Sequence, residues 1–419
     1  SFLSLAHREV ISPLCVYIIL FNHFPNPNLG NDGAAVGMKE AEEKMSLNKS
    51  IINLFILFLF SPIIFFSQAE GAKKENLIKY YGRDAFLIEG TVLPDSLKES
   101  PYDRLPLSYK EIVRESVWNL SKSSAGISVR FITNSTRIKL KWNVLNDLTM
   151  NHMAETGIKG IDLYFNNFGT WQYVGTARPF GKENTQVIVS NMTNETREFK
   201  LYLPLYDGIE SLEIGIDFNS FIEKPTRSEK KPIVFYGTSI TQGGCASRPG
   251  MAHTNIISRK LNIDCINFGF SGNGIMEEPI TELISEIDAS LYVIECLPNM
   301  TKDQVLKNVG PLVTTIREKR PDTPIILVDN FLYESASLDR ILENELNEKN
   351  IEFKEQYDKI ILNGVPNIFY LSNQTAPGED HEGTVDGVHF TDLGFLRYAN
   401  YLIESFEELQ LLDFPFQVN

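Results

Sequence analysis

The sequence predicts a two-domain protein in which an all-β sandwich or jelly roll precedes an α/β domain built on a doubly wound, parallel five-stranded sheet. Three observations predict this fold class. The chain of 419 residues is too long for one ordinary hydrophobic core. Short alternating apolar runs, separated by turn residues, are typical of antiparallel sheets and fill the first domain. Strand-like and helix-like segments alternate in the second domain, as a parallel sheet requires.

Composition limits the classes of function. The chain is 43% hydrophobic and 22% charged, which is typical of a globular protein. Its formal net charge of −15 argues against nucleic acid as a partner, because nucleic-acid-binding proteins normally present a basic face. The four cysteines, Cys15, Cys245, Cys265 and Cys296, have no close spacing. We therefore expect neither a disulfide framework nor a zinc pattern, and predict that Cys265 and Cys296 are small buried residues inside strands.

Residues 45–69 have the pattern of a secretory signal peptide. A weakly basic start precedes the apolar run Ile51–Phe66, and Ser67–Ala69 supplies the small residues that a signal peptidase reads. An uncleaved anchor is the alternative, but the run is short for a membrane span and contains Pro62. We expect an exported protein, periplasmic or secreted, with no stable membrane anchor after cleavage. Residues 1–44 show no convincing periodicity and are interpreted as a non-native or over-long extension.

The β-sandwich is predicted over residues 70–222. Apolar residues alternate with polar ones in 127–131 and again in 138–142, on either side of the turn Thr133–Thr136. This pair predicts a β-hairpin with one buried face. Further strands are predicted at Gly160–Phe165, Trp171–Val174, Gln186–Val189, Glu198–Leu203 and Leu212–Ile216. No helical stripe of any length is visible in this domain.

The α/β domain is predicted over residues 232–419, after a charged, proline-bracketed linker at 223–231. Its strand candidates are Ile233–Tyr236, Asp264–Phe268, Leu291–Cys296, Ile325–Val328 and Ile368–Leu371. Helical patterns lie near Met251–Leu261, Pro279–Ile287, Thr301–Lys319, Ser337–Asn363 and Thr391–Leu409. In such a sheet the loops at the carboxyl ends of the strands are expected to carry the functional site.

Those loops hold the parts of an acyl-transfer site, which needs a nucleophile, a base, a group that orients the base, and oxyanion donors. They carry Ser239, Gly272, Asn299, Asp386 and His389. Each residue alone has an ordinary structural interpretation as a helix cap, a turn former or a core histidine. Their occurrence together favours a catalytic site that uses no metal and no cofactor, since there is neither a His-Glu-x-x-His run nor a clustered Cys/His spacing.

At these loops, residues 232–409 resemble the SGNH/GDSL hydrolase superfamily of flavodoxin-like esterases and lipases, with all four sequence blocks in family order. The resemblance implies that Ser239 is the nucleophile and that His389, oriented by Asp386, is the general acid and base. It also implies an oxyanion hole formed by the N–H groups of Ser239 and Gly272 and the side-chain amide of Asn299.

Two positions depart from the family pattern. Thr238 stands where an aspartate is usual, and Leu297–Met300 keeps the asparagine of its block but loses the usual flanks. Longer segments, Tyr236–Gly243, Cys245–Met251 and Asn267–Gly274 among them, are similar to one subgroup. Its members carry an N-terminal β-sandwich marked by Gly-x-Asp-Leu-Tyr, present here at residues 160–164. That similarity implies a carbohydrate esterase, with deacetylation as the expected reaction.

The resulting hypothesis is a serine esterase that hydrolyses ester groups, foremost O-acetyl groups, on carbohydrates or polysaccharides through an acyl-serine intermediate. An acyltransferase with a sugar or metabolite hydroxyl as acceptor is the nearest alternative, and a non-catalytic carbohydrate-binding protein is an alternative of another class. The expected partner is an acylated carbohydrate or another small ester. Tyr236, Arg248 and Glu277 are candidate substrate-binding residues, although ion pairing at the surface is the simpler interpretation of Arg248 and Glu277.

Overall fold

The computed structural model describes residues 77–412, which lie within one compact unit, Leu77–Asn419. The predicted signal peptide and the extension before it fall outside the described residues. Three β-sheets and eight α-helices organise the part of the chain that is described. Among these residues, no helix combines the length and the apolarity that a membrane crossing requires.

Two antiparallel sheets form the predicted β-sandwich. The strands are β1 (Ile78–Tyr81), β2 (Leu87–Glu89), β3 (Ser128–Thr133), β4 (Ile138–Val144), β5 (Ile161–Asn167), β6 (Thr170–Ala177), β7 (Glu183–Val189), β8 (Arg197–Tyr202), β9 (Ile209–Asp217) and β10 (Ile222–Glu223). One sheet has the order β1-β9-β4-β7, and the other has the order β10-β3-β8-β5-β6, with β2 also paired to β3. Phe131 and Phe199 from one sheet pack in a common core with Trp142 from the other.

The predicted hairpin between β3 and β4 is wrong, because the two strands belong to different sheets. β3 pairs with β8 while β4 pairs with β9, and the turn between them crosses from one layer to the other. Alternation could not reveal this, since strands that face each other across a sandwich bury alternate residues just as hairpin strands do. The domain also contains two short helices that the sequence did not predict, α1 (Glu115–Ser121) and α2 (Glu155–Lys159).

The predicted parallel five-stranded sheet is confirmed. Its strands are β11 (Ile233–Gly237), β12 (Cys265–Gly269), β13 (Leu291–Glu295), β14 (Ile325–Val328) and β15 (Ile368–Leu371), in the order β12-β11-β13-β14-β15. The helices are α3 (Ser239–Gln242), α4 (His253–Leu261), α5 (Glu278–Ser285), α6 (Lys302–Lys319), α7 (Arg340–Leu362) and α8 (Asp392–Glu408). Gly237 pairs with Gly269 on one side and with Glu295 on the other. The loops that carry Ser239, Gly272 and Asn299 therefore begin side by side.

Hydrogen bonds of buried side chains, one of them an ion pair, join the β-sandwich to the α/β residues. Asp162, in the Gly-x-Asp-Leu-Tyr segment, accepts hydrogen bonds from Arg248 Nη1 and from the Gly250 N–H, both at 2.7 Å. Arg104 is buried and donates to the Gly269 carbonyl at 2.6 Å, at the end of β12. These contacts fix the sandwich against the loops that carry the candidate site. The exact position of the domain boundary at 223–231 stays a prediction.

Candidate active site

Ser239, His389 and Asp386 form a continuous hydrogen-bonded chain. The distance from Ser239 Oγ to His389 Nε2 is 2.8 Å, and that from His389 Nδ1 to Asp386 Oδ2 is also 2.8 Å. Ser239 follows the carboxyl end of β11, whereas the other two residues precede α8, 150 positions later for the histidine. The fold thus brings together the three residues that the sequence predicted as nucleophile, base and orienting acid.

The serine lies on a tight turn between β11 and α3, and Thr238 is the N-cap of that helix. The Thr238 side chain accepts a hydrogen bond from the Ile240 N–H at 3.3 Å, and the Thr238 N–H donates to Thr241 Oγ1 at 3.2 Å. This reciprocal arrangement is a capping box. Threonine and aspartate can both serve as N-caps, so the departure from the usual aspartate leaves the turn intact.

A buried carboxylate supports the turn from behind. Glu295, at the end of β13, accepts a hydrogen bond from Thr241 Oγ1 at 2.8 Å and another from the Tyr398 hydroxyl, and its Oε2 lies 3.2 Å from His253 Nε2. All four side chains are buried. Burial, with Glu295 as the next cause, raises the pKa of Tyr398 well above its usual value, so the phenol stays a donor. This cluster was not predicted from the sequence. A glutamate at the end of an otherwise apolar strand was the signal that could have indicated it.

The histidine and the aspartate lie on a partly exposed loop. Asp386 Oδ1 accepts hydrogen bonds from the backbone N–H groups of Val388 at 3.1 Å and His389 at 2.8 Å. Burial alone would raise the pKa of Asp386, but these bonds and the contact with the imidazole lower it below the usual value. An ionised Asp386 accepts from Nδ1–H and leaves Nε2 free to accept the serine proton. The loop therefore holds the imidazole in the tautomer that a general base needs.

The loops after β12 and β13 carry two of the candidate oxyanion donors, Gly272 and Asn299. One amide position of Asn299 lies 3.2 Å from the Gly272 N, 2.9 Å from the Asn273 N and 3.1 Å from the Gly274 N. Because three N–H groups point at this position, we assign the amide oxygen to it, although the Phe270 carbonyl oxygen also lies 3.3 Å away. The amide nitrogen of Asn299 is then turned away from these N–H groups, as a donor to an anionic oxygen requires.

Two further features fit this site to an oxyanion. Gly272 has φ 67°, a conformation in which glycine carries no penalty. Ser239 is the first residue of α3, so its own N–H has no partner within the helix. The roles assigned to the three donors remain predictions, but the geometry places two of them together and leaves the third available.

Each of the three candidate substrate-binding residues is engaged with a partner outside the Ser239–His389–Asp386 triad. Tyr236 is fully buried, and its hydroxyl accepts from the Glu277 N–H at 3.3 Å, which leaves no surface for a substrate. Glu277 pairs with Arg114 at 2.8 Å. Arg248 pairs with Asp162 and lies over the ring of Tyr173, with the guanidinium 3.9 Å from its centroid. Ion pairing thus accounts for both charged residues, but the partner of Arg248 is a fully buried carboxylate rather than a surface group.

Two side chains near the catalytic histidine were not predicted. The ring of His152, on the segment between β4 and α2, has its centroid 5.8 Å from that of His389. Cys245 is buried beside the same loop, and burial, then the charge of Asp386, raises the pKa of its thiol to about 12. The potential ligand atoms of His152, Cys245, Asp386 and His389 all lie within 4.8 Å of one another. No local spacing could reveal this group, because its members come from three distant parts of the chain.

The fold and the site together define a class: a serine hydrolase of the α/β type, with an esterase active site at the carboxyl edge of a parallel sheet. Comparison with known families agrees. The model of the GDSL-like lipase/acylhydrolase family matches residues 230–407, and that of the GxDLY N-terminus of SGNH hydrolase-type esterases matches residues 78–222. The chain belongs to the GDSL/SGNH family of esterases, with the GxDLY domain at its amino side.

Solved structures extend the comparison. A protein described as a GDSL-like lipase from Bacteroides ovatus is 34% identical, with a TM-score of 0.77 over 81% of this chain and 100% of that one. A salicylyl-acyltransferase from a tetracycline biosynthetic pathway is 16% identical, with a TM-score of 0.67 over 81% and 99%. A family two carbohydrate esterase from Cellvibrio japonicus is 11% identical, with a TM-score of 0.51 over 80% and 99%. The last two share the fold. No match was found among the curated proteins.

Proposed function

We propose that this esterase removes small O-acyl groups, foremost acetyl groups, from carbohydrate hydroxyls through an acyl-serine intermediate. The observation that carries the proposal is the unbroken chain from Ser239 Oγ through His389 to Asp386. His389 Nε2 takes the proton of Ser239 as Oγ attacks the ester carbonyl. Asp386 stabilises the imidazolium that forms.

The negative charge that develops on the carbonyl oxygen is held by the N–H groups of Ser239 and Gly272 and by the Asn299 amide. Each such donor contributes ~10²–10³-fold to the rate in serine hydrolases. When the tetrahedral intermediate collapses, His389 returns its proton to the departing alcohol oxygen. Water then enters, His389 takes a proton from it, and the acyl group leaves Ser239 as the free acid.

A small acyl group is proposed because the serine is enclosed. Ser239 is only 9% exposed, which favours an acetyl group over a bulky acyl chain. Gly244, near the site, has no room for a side chain: a Cβ there would lie 2.7 Å from the Tyr206 hydroxyl and 3.3 Å from His389 Cδ2. The carbohydrate part of the proposal draws its support from the family two carbohydrate esterases that share the fold, one of them in complex with cellohexaose.

Acyl transfer to a hydroxyl acceptor is the second candidate. It is favoured by one observation, the match to a salicylyl-acyltransferase over 81% of this chain. The two reactions share the acyl-serine and differ in what removes the acyl group from it. Incubation with an acetyl ester, with and without a sugar acceptor, distinguishes them: free acetate at an unchanged rate supports hydrolysis, and an acylated acceptor supports transfer. A purely carbohydrate-binding role is disfavoured by the complete hydrogen-bonded triad.

We also propose export of the protein through the signal at residues 45–69, which lies outside the described residues. The support is the sequence pattern alone. Mass spectrometry of the protein recovered from the periplasm or medium should find a mature amino terminus directly after Ala69. Recovery of the uncleaved chain from the cytoplasm would contradict the proposal.

The proposed nucleophile is tested by Ser239→Ala. We expect hydrolysis of p-nitrophenyl acetate to fall by ~10⁴-fold or more, because without the hydroxyl no acyl-enzyme can form. The melting temperature should stay unchanged, since one oxygen atom is lost. The matched control is Ser290→Ala, which removes a serine bonded to Pro232 at the opposite end of the sheet and should keep full activity. Residual activity near the wild-type level in Ser239→Ala would overturn the assignment.

A further inference from the structure

His152 brings the β-sandwich domain into contact with the catalytic loop. It lies between β4 and α2, and its ring is tilted by 52° against that of His389 at a centroid distance of 5.8 Å. Cys245 approaches the same point from the turn after α3, with φ 72°, a backbone conformation that non-glycine residues rarely adopt. Together with Asp386 and His389 these residues present four potential ligand atoms within 4.8 Å of one another.

We propose that His152, Cys245, His389 and Asp386 form an inhibitory binding site for zinc or a similar thiolate-binding divalent cation. Two imidazoles, one thiol and one carboxylate are the ligand types that tetrahedral zinc uses, at roughly 2.0–2.3 Å from the metal. Ligand atoms at those distances are about 3.5 Å apart, so the cluster must contract by about 1 Å. His152 is only partly buried and His389 lies on a partly exposed loop, which allows that movement.

The site excludes catalysis when it is filled. Both ring nitrogens of His389 are already engaged, Nε2 with Ser239 and Nδ1 with Asp386. A cation bonded to either nitrogen takes the lone pair that accepts the serine proton or displaces the carboxylate that holds the tautomer. On binding, the Cys245 thiol releases its proton to solvent and the metal–sulfur bond forms without any change of oxidation state.

The ligand set also discriminates between cations. Magnesium and calcium prefer six or more oxygen ligands, and this group offers one carboxylate beside nitrogen and sulfur. Zinc, cobalt and copper accept imidazole and thiolate. The sequence had indicated no metal in the catalytic reaction, and the inference leaves that expectation in place, because the cation here competes with the reaction.

Direct binding is tested with Co²⁺ as a spectroscopic substitute for zinc, on the full chain. We expect one equivalent to produce a thiolate-to-cobalt charge-transfer band in the near ultraviolet. The band should disappear in Cys245→Ser, and binding should weaken at least tenfold in His152→Ala. The matched control is His381→Ala, because His381 is exposed and paired with Glu334 outside the group. No band in the wild-type protein, or a band that persists in Cys245→Ser, would overturn the proposal.

Inhibition is tested separately and rests on the proposed esterase function. Micromolar Zn²⁺ should inhibit p-nitrophenyl acetate hydrolysis, chelation with EDTA should restore the rate, and equal Mg²⁺ should have no effect. His152→Ala should keep its zinc-free rate and require at least tenfold more Zn²⁺ for half inhibition. Equal sensitivity of wild type and His152→Ala would contradict the site. If the chain hydrolysed no ester at all, the cobalt experiment would still decide whether the site exists.

Discussion

The two sides of the active site are built differently. The nucleophile side is packed: Thr241 and Glu295 are buried behind Ser239, and each satisfies the other. The base side is a loop whose side chains are more open to solvent, 24% exposed for His389 and 36% for Asp386, and which is held by its own backbone bonds. We infer that the chemistry needs both sides, whereas the stability of the fold depends on the buried nucleophile side. Substitutions on the two sides should therefore separate activity from stability.

Asp386→Asn should have the largest effect on activity at the base side. An amide can donate to Nδ1 and favour the wrong imidazole tautomer, so we expect kcat to fall by ~10³–10⁴-fold. The melting temperature should change little, because the side chain is partly solvated. The matched control is Asp380→Asn, another exposed carboxylate, which pairs with Arg397. A large loss of stability in Asp386→Asn would contradict the view that the base side is structurally independent.

Asn299→Asp tests the oxyanion donor with no change in side-chain shape. The variant replaces the amide nitrogen, the predicted donor, with a negative oxygen at the point where negative charge develops, and kcat should fall by at least ~10²–10³-fold. Asn299→Ala should lose a similar amount or less. Full activity in Asn299→Asp would instead mean that residue 299 accepts the N–H groups of the loop and gives nothing to the reaction.

On the nucleophile side, Glu295→Ala should reduce the stability of the fold strongly and the activity only modestly. It removes the acceptor of Thr241 and Tyr398 and leaves their hydroxyls buried, so we expect the free energy of unfolding to fall by about 3 kcal/mol. The rate should fall only ~10-fold, through looser placement of Ser239. Chemical denaturation and initial rates measure both effects. The control is Glu286→Ala, since Glu286 is exposed and its partner is Lys319. A stable but inactive Glu295→Ala would give this carboxylate a direct part in the reaction.

The parallel sheet was the most predictable part of the fold. Its interior strands β11, β13 and β14 are buried on both faces and appear in the sequence as short continuous apolar runs. β14 and the edge strand β15 have the predicted bounds. The sandwich was predicted as a class, but the pairing of β3 and β4 was not, because alternation reports which residues are buried and not which strand is the partner.

The active site was also predictable only where a local sequence pattern indicates its residues. Ser239, Asp386 and His389 were predictable because they occupy loops beside recognisable elements and match the sequence blocks of a known family. Glu295, His152 and Cys245 are brought to the site by contacts between distant parts of the chain. No local sequence pattern encodes such contacts. Tyr236 was misinterpreted for a related reason: it is close to Ser239 in sequence, but it belongs to β11, an interior strand that is buried on both faces.

The central claim is that Ser239 carries the acyl group, and acid quenching tests it directly. The protein is mixed with excess p-nitrophenyl acetate, stopped within the first turnovers, digested and analysed by mass spectrometry. The account predicts a single acetyl group on the peptide that contains Ser239, and none in the Ser239→Ala variant. Rapid release of p-nitrophenol with no acetylated Ser239, or with the acetyl group on Cys245 or Thr241, would contradict it.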